Sequence, residues 1–272
     1  MHPHNFLIFD IETIPDIDGI RLLNELSPDM KDDEVADFAF ALHKEKTGNA
    51  FLPHYLQKIV CLSLMLQTQQ ELKVFSLSSP QMSEAQIIHT FFKGIQKYRA
   101  QLVSWNGSGF DLPVLHYRAM KNGVEAPYYW DLGENNPDFK WNNYINRYHF
   151  RHLDLMDVLS LYNTRTAAPL DKLAKLLGFP GKLGVDGSEV WNYWLQKRSD
   201  EIRQYCETDV ANTYLLFLRF RQMKGEITKA MEQEQWEKMR IYLEQISESQ
   251  TQNNDHWLAF LESWQNLNEQ GE

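Results

Sequence analysis

The sequence is poor in cysteine and has no long apolar run. Its 272 residues include two cysteines, Cys61 and Cys206, which lie far apart and form no CxxC pair. A disulfide framework and a cysteine zinc site are therefore not expected. No stretch of about 18 uncharged apolar residues is present, so no membrane-spanning helix is expected. The N-terminus lacks the basic region and cleavage site of a secretory signal, which favours a cytoplasmic protein.

The acidic charge of the chain is concentrated near its C-terminus. The formal net charge is −10, and residues 225–272 account for −7 of it, with ten acidic and three basic residues. Residues 1–224 are nearly neutral, so they are compatible with a polyanionic substrate but not with coating nucleic acid by bulk charge. We therefore expect a main domain, residues 1–224, followed by an acidic helical C-terminal extension, residues 225–272.

Hydrophobic patterns predict an α/β fold, with a sheet and helices packed around it. The segment of about 20–50 is polar and helical in pattern, which is typical of an insertion. Strands are expected at Phe6–Phe9, Ile59–Leu66, Leu72–Leu77, Leu102–Trp105 and near His152. Helices are expected from Glu84, from Asp111, over Leu170–Leu177, over roughly 187–197 and 199–223, and twice in the extension.

Three short acidic segments are candidates for chemistry. Asp10 and Glu12 are two residues apart on a strand and so share one face, where a hard cation such as Mg²⁺ or Mn²⁺ would relieve their repulsion. A strand end emerging into solvent is the alternative. Asp111 follows a glycine-rich turn and could simply cap a helix. Tyr205 and Asp209 share a helix face, or form a core tyrosine beside a surface aspartate.

Taken together, these segments resemble the DEDDy group of 3′–5′ exonucleases. Within that group the sequence is most similar to the stand-alone predicted exonucleases related to the proofreading domain of family-B DNA polymerases. The similarity covers about residues 5–222 and implies a ribonuclease-H-like, mixed five-stranded sheet flanked by helices, with an α-helical C-terminal extension. The matching segments are Phe9–Pro15, Leu102–Pro113 and Tyr205–Val210, with further similarity at His152–Asp157, Gly178–Lys182 and Asp186–Ser188.

The resemblance implies a two-metal mechanism. It assigns Asp10, Glu12, Asp111 and Asp209 as ligands of two divalent metal ions, Mg²⁺ or Mn²⁺, with Asp10 bridging them and Asp111 acting through water. It also implies that Tyr205 orients the attacking water. These five residues are the expected catalytic set.

The resemblance also implies how substrate is bound. The Thr13 backbone, Asn106 and Phe110 are expected to contact the 3′-terminal nucleotide. In the related histidine-type exonucleases the catalytic base is a histidine five residues before the last aspartate. That position is Gln204 here, so the tyrosine type is expected. The implied activity is release of 5′-mononucleotides from the 3′ end of single-stranded nucleic acid, with DNA favoured over RNA. DNA repair, proofreading in trans and RNA trimming are the pathways open to such an enzyme.

Three other interpretations compete with this one. A haloacid-dehalogenase phosphatase would need aspartate in place of Glu12 and leaves Asp111 unexplained. Gly178–Lys182 could also suggest a phosphate-binding P-loop. That motif needs glycine at position 176, which is leucine here, and Ser or Thr after Lys182, where the chain has Leu183. A non-catalytic nucleic-acid-binding module of the same fold stays open, and metal-dependent release of mononucleotides distinguishes it from an enzyme.

Residues 140–182 combine basic and aromatic side chains, with seven bases against three acids. Such a mixture suits tracking of a nucleic-acid backbone and stacking of bases. The alternative is that the aromatic residues belong to the core and that the charged residues form a solvated face, and it explains this composition equally well. The bases are Lys140, Arg147, Arg151, Arg165, Lys172, Lys175 and Lys182, and the aromatics are Trp141, Tyr144, Tyr148, Phe150 and Tyr162.

The extension carries two apolar stripes at helical spacing. Each stripe needs an apolar surface to pack on, which is either the catalytic body or another protein chain, including a second copy. The stripes are Trp236, Met239, Leu243 and Ile246 in the first helix, and Trp257, Phe260, Leu261, Trp264 and Leu267 in the second.

Overall fold

A mixed five-stranded sheet forms the centre of the computed structural model, which describes residues 5–184, 187–249 and 253–269. The strand order is β3-β2-β1-β4-β5. The pairs β1–β2 and β2–β3 are antiparallel, whereas β1–β4 and β4–β5 are parallel. The predicted fold class is therefore confirmed. The strands are β1 Phe6–Pro15, β2 Gln57–Gln67, β3 Leu72–Ser78, β4 Gln101–Ser104 and β5 His152–Asp154.

Helices cover both faces of this sheet, as predicted. Among the described residues, none of the helices combines the length and the apolarity needed to cross a membrane. The helices in chain order are α1 Ile17–Asn24, α2 Asp32–Thr47, α3 Glu84–Tyr98, α4 Asp111–Asn122, α5 Pro127–Trp130, α6 Leu155–Leu159, α7 Leu170–Leu176, α8 Val190–Leu195, α9 Ser199–Met223, α10 Lys229–Ser247 and α11 His256–Glu269.

The alternation of β1 decides which core each side chain enters. Leu7, Phe9 and Ile11 belong to the core that contains α3 and α4. Phe6 and Ile8 point the other way, into the core that contains α9. Because side chains alternate along a strand, residues 10 and 12 continue the second series and face α9.

Strand β1 is longer than the apolar run Phe6–Phe9 that predicted it. Its acidic residues stay in the sheet, with Asp10 opposite Ser63 and Glu12 opposite Cys61 on β2. The pairing register shifts between Glu12 and Thr13, which is the mark of a β-bulge, a feature common beside active sites. The apolar run ends at Phe9, but the strand continues through Asp10 and Glu12 as the sequence predicted.

Other elements follow the sequence closely. Helix α3 begins with a capping box in which Ser83 and Gln86 bond each other's backbone N–H groups at 3.3 and 2.8 Å. The predicted insertion consists of α1 and α2 around a small apolar cluster that includes Ile20, Val35 and Leu52. The predicted helix over 187–197 is shorter, with a 3₁₀ turn at Gly187–Glu189 preceding α8, and α7 ends one residue before its predicted end.

The extension packs on the rest of the chain. Met239, Leu243, Trp257, Phe260 and Trp264 are buried in the core that contains α9. Both predicted helices are present, and both stripes find their apolar surface within the chain. The division of the chain at residue 224 stays a prediction.

A buried ionic cluster also ties the extension to α9. Glu207 lies 2.9 Å from Arg203 Nη1 and 2.8 Å from His256 Nε2, and all three side chains are buried. Arg203 also donates a 2.6 Å bond to the Asn253 carbonyl. Breaking a buried pair by removing one partner is costly, so these contacts favour one docking position of α11.

Removal of one buried ring tests whether the extension shares the main core. Trp264 packs against Phe179, Trp236 and Phe260, with centroid distances of 6.3 to 6.5 Å. Trp264→Ala is expected to lower the free energy of unfolding by about 3–5 kcal/mol, measured by urea denaturation. The control Leu258→Ala, at an exposed position of α11, should change it by less than about 0.5 kcal/mol. An unchanged midpoint for Trp264→Ala would mean that the extension unfolds separately.

Candidate active site

One cleft of about 1060 Å³ collects the acidic residues singled out by the sequence. Asp10, Glu12, Asp111 and Asp209 all line it. They come from β1, from the first residue of α4 and from the middle of α9. Parallel strands β1 and β4 end at the same edge of the sheet, which brings the first two segments together, and α9 crosses β1.

Asp10 and Glu12 face α9, where they meet a thiol. Cys206 donates to Asp10, with its Sγ 3.5 Å from Oδ2 and 3.4 Å from the Asp10 carbonyl oxygen. Ligand atoms of Asp10, Glu12 and Cys206 lie within 4.8 Å of one another. The thiol therefore helps to orient Asp10. The sequence offered no signal for this contact, because a lone helical cysteine is usually a small buried hydrophobe.

Asp111 is fixed against the backbone of β1. Its Oδ1 accepts a 3.1 Å hydrogen bond from the N–H of Ile11, the residue between the two acids of β1. The alternative of a simple helix cap is wrong, since Phe110 occupies the N-cap position of α4. The bond places the Asp111 carboxylate beside Asp10 and Glu12.

The turn before Asp111 is held by Asp154 at the end of β5. Asp154 accepts backbone hydrogen bonds from Asn106 at 2.9 Å and from Ser108 at 2.8 Å. A Cβ at position 107 would lie 2.3 Å from Ser104 Oγ, so Gly107 is required for this close approach. The sequence grouped Asp154 with the family segments but did not indicate its positioning role.

Tyr205 and Asp209 lie one turn apart on α9, and both side chains are buried. The alternative of a core tyrosine beside a surface aspartate is therefore wrong for Asp209. Lys182 donates a hydrogen bond to the Tyr205 hydroxyl and lies 3.7 Å from Asp209 Oδ2. Asp209 Oδ1 is buried and has no hydrogen-bond partner among the described residues.

Burial and mutual repulsion make these carboxyl groups hard to ionise. Burial and the nearby Asp111 and Asp209 raise the pKa of Asp10 well above its ordinary value. Burial and the neighbouring Asp10 do the same to the pKa of Glu12. Burial raises the pKa of Asp111 to about 7 and that of Asp209 to about 6, the latter against the charge of Lys182.

The donor set fits a hard divalent cation. Four carboxylates converge on one cleft, and such oxygen ligands are the ones that Mg²⁺ and Mn²⁺ prefer. A buried oxygen such as Asp209 Oδ1 normally has a partner, and a bound cation would supply one. Lys182 contributes one positive charge to the cluster, 3.7 Å from Asp209 Oδ2. The roles of the four carboxylates as ligands stay predictions.

The expected substrate contacts also line this cleft, together with residues that the sequence did not indicate. Thr13, Asn106 and Phe110 are among its walls. The Phe110 ring lies 5.5 Å from Phe51 and 5.6 Å from the His54 ring, which belong to the chain after α2. The segment that leads out of the helical insertion thus forms part of the site.

Several other candidates lie elsewhere. Gln204 donates a 3.1 Å bond to the Asn253 carbonyl and does not line the cleft. Tyr144 is a core residue whose hydroxyl donates to the Ala100 carbonyl at 2.8 Å. His152 is structural, bonded to Ser104 Oγ at 2.8 Å, and burial lowers its pKa to about 4. Asp186, in the last matching segment, lies outside the described residues.

The raised pKa values predict how stability changes with pH. Between about pH 5 and pH 8 the metal-free folded state should hold more protons than the unfolded state, so its stability should fall as pH rises. Glu207 should not contribute, because His256 and Arg203 keep its pKa low despite burial. Thermal unfolding in chelator is the measurement. Mn²⁺ should raise the melting temperature more at about pH 8 than at about pH 5.

Two variants test the origin of this pH dependence. Asp10→Asn should flatten the curve in chelator, because one member of the repelling cluster is removed. Asp18→Asn, at an exposed position of α1, should leave the curve unchanged. If the stability of the natural protein in chelator did not change with pH, the proposed repulsion among the buried carboxylates would be contradicted.

Several known proteins are similar to this chain in sequence or structure. A DNA polymerase from Archaeoglobus fulgidus is 24% identical over 149 residues, which are 54% of this chain and 19% of the polymerase. The chain thus spans about a fifth of that relative's length. The structure of the family B DNA polymerase from Pyrobaculum calidifontis aligns with 81% of this chain and 25% of its own, at 17% identity and a TM-score of 0.49.

A further similarity is to E. coli Exonuclease I in complex with a 5cy-dT13 oligonucleotide. It covers 80% of this chain and 43% of that one, at 14% identity and a TM-score of 0.33. Residues 49–264 match the family described as predicted 3′–5′ exonucleases related to the exonuclease domain of PolB. The match confirms the resemblance found in the sequence. The chain belongs to this family and contains a 3′–5′ exonuclease-like domain.

Proposed function

We propose that this chain is a metal-dependent 3′–5′ exonuclease that releases 5′-mononucleotides from the 3′ end of single-stranded nucleic acid, with DNA favoured over RNA. The observation that carries the proposal is the convergence of Asp10, Glu12, Asp111 and Asp209 on one cleft. A merely structural cluster of this kind would be costly, because burying unpaired like charges destabilises a fold.

The four carboxylates are proposed to hold two divalent ions, Mg²⁺ or Mn²⁺. Bound ions of this type stabilise the attacking and leaving oxygens of an in-line phosphoryl displacement. The raised pKa values of Asp111 and Asp209 mean that the metal-free cluster is partly protonated near neutral pH. A cation would lower those values and complete the ionised ligand set.

Tyr205 is proposed to orient the attacking water. Burial, together with the negative charges of Asp209, Glu12 and Asp10, raises its pKa, so the hydroxyl keeps its proton. Lys182 donates to the hydroxyl oxygen, and the hydroxyl also interacts with the Asp209 carboxylate. Lys182 lines the cleft and Tyr205 lies directly behind it, so the hydroxyl is held beside the carboxylates. The positive charge of Lys182 offsets negative charge that develops on the phosphate.

The walls of the cleft suit a terminal nucleotide. Phe110, Phe51 and His54 form a group of rings on which a base can stack. Asn106 lies on the same side and has a left-handed backbone, φ 66°, at the turn held by Asp154. Thr13 follows the bulge in β1, and its hydroxyl donates to Gln57 Oε1 at 2.9 Å, so its backbone position is fixed.

The direct test is digestion of 5′-labelled single-stranded DNA and RNA of matched sequence, with Mg²⁺ or Mn²⁺. A descending ladder of products is expected, faster for DNA, and none in excess chelator. Asp10→Asn should abolish the ladder while the far-ultraviolet spectrum stays unchanged. Full activity in chelator contradicts the metal proposal. Oligonucleotide binding with no product under any of these conditions would favour the non-catalytic module.

Tyr205→Phe tests the proposed positioning of water. It should lower turnover by about 10²–10⁴-fold, the usual effect of a positioned proton-transferring or water-orienting group, and leave oligonucleotide affinity nearly unchanged. Tyr214→Phe is the matched control, since Tyr214 is buried on the same helix and its hydroxyl has no partner among the described residues. Equal turnover of the two variants, measured where chemistry limits the rate, would reduce Tyr205 to a core residue.

A further inference from the structure

A second cavity, of about 760 Å³, lies beside the catalytic cleft. The two are separated by the turn after β4 and by the start of α6. Asn106 and Met156 line the cleft, whereas Ser108, Asp157 and Val158 line the second cavity. A polymeric ligand that extends from the cleft across this boundary would enter the second cavity.

The segment next to this cavity has an unusual composition. Residues 139–153 contain Lys140, Arg147 and Arg151 and no acidic residue, in a chain whose net charge is −10. The same segment exposes three large rings, Trp141 at 77%, Tyr148 at 69% and Phe150 at 68%. Clustered cations and bare rings on an otherwise acidic protein indicate a polyanionic ligand with flat groups.

The rings at the cavity are held in place by the surrounding loop. The Arg147 guanidinium lies 4.4 Å from the Tyr162 ring centroid and 5.9 Å from that of Tyr148, and these two rings are 5.4 Å apart. Asn142 Oδ1 accepts the Phe150 N–H at 2.9 Å. The Tyr148 ring and the Phe150 backbone are thus positioned before any ligand arrives, which lowers the entropy cost of binding.

Arg147 keeps binding capacity despite its ion pair. It contacts Asp157 at 3.2 Å, but 48% of its side chain remains exposed. A half-exposed guanidinium can bond a phosphate oxygen while its flat face stays on the tyrosines. Exposed rings beside such a cation form the arrangement that binds single strands without sequence preference.

We propose that this second cavity binds the single-stranded nucleic acid on the 5′ side of the terminal nucleotides held in the cleft. Tyr148 and Phe150 stack on bases, and Arg147 contacts the backbone. The inference rests on the proposed function for the direction of the strand. The cavity lies next to the cleft, and residues 139–153 bring cations and exposed rings to it without an acid. The acids that line it already have partners, since Asp157 pairs with Arg147, Glu226 pairs with Lys224, and Asp154 accepts backbone N–H groups. These features favour nucleic acid over a protein partner as the occupant.

The test compares the affinity of a long and a short oligonucleotide. Binding of fluorescein-labelled oligothymidylate of about 15 nucleotides and of a trinucleotide is followed by anisotropy with Mg²⁺, in an Asp10→Asn background that prevents turnover. Adding Tyr148→Ala and Phe150→Ala should weaken the binding of the long oligonucleotide by about five- to a hundredfold. The affinity for the trinucleotide should hardly change. Arg147→Gln should make the affinity for the long oligonucleotide depend less on salt concentration.

The control is Tyr117→Ala, which removes an exposed ring of α4 that does not line the cavity. Unchanged affinity of the double variant for the long oligonucleotide overturns the inference and would fit a protein partner. An equal loss for both lengths overturns it too, because the rings would then act on the cleft. Absence of hydrolysis by the natural protein would defeat only the proposed function, since this readout needs no turnover.

Discussion

The structure depends on keeping four carboxylates close together and largely out of water. Such groups repel one another, and burial raises the pKa of each. The fold holds them with rigid elements, since Asp10 and Glu12 stand on the central strand, Asp111 is bonded to the β1 backbone, and Asp209 lies on the longest helix. The packing of the sheet, of α9 and of the glycine-rich turn must therefore offset the electrostatic cost of holding these carboxylates together.

Much of this arrangement could be predicted from the sequence. Alternation on β1 and one-turn spacing on α9 are local patterns, and they place Asp10 with Glu12, and Tyr205 with Asp209, before any tertiary contact is known. The apolar stripes of α10 and α11 are equally local, so both helices are present where the spacing predicted them. The resemblance then connected segments that no periodicity could connect.

Contacts between distant segments were not predictable in the same way. Lys182 reaches Tyr205 because the loop after α7 folds back on α9, and nothing in its neighbours in sequence indicates this. In the irregular segment 131–151, Tyr144 is core while Tyr148 is exposed. A segment without a regular period gives no rule for which ring turns inward. Tyr144 fits the interpretation as a core residue, whereas base stacking by the exposed rings stays a prediction.

The alternation of β1 also limits how this strand can evolve. Its odd residues fill one core, and its even residues fill the other core and then the cleft. Deletion of a single residue between Phe6 and Glu12 would reverse every side chain beyond it, turning carboxylates into the α3–α4 core and apolar groups into the cleft. A substitution changes one side chain, whereas a change of strand length by one residue changes the surroundings of every side chain beyond it.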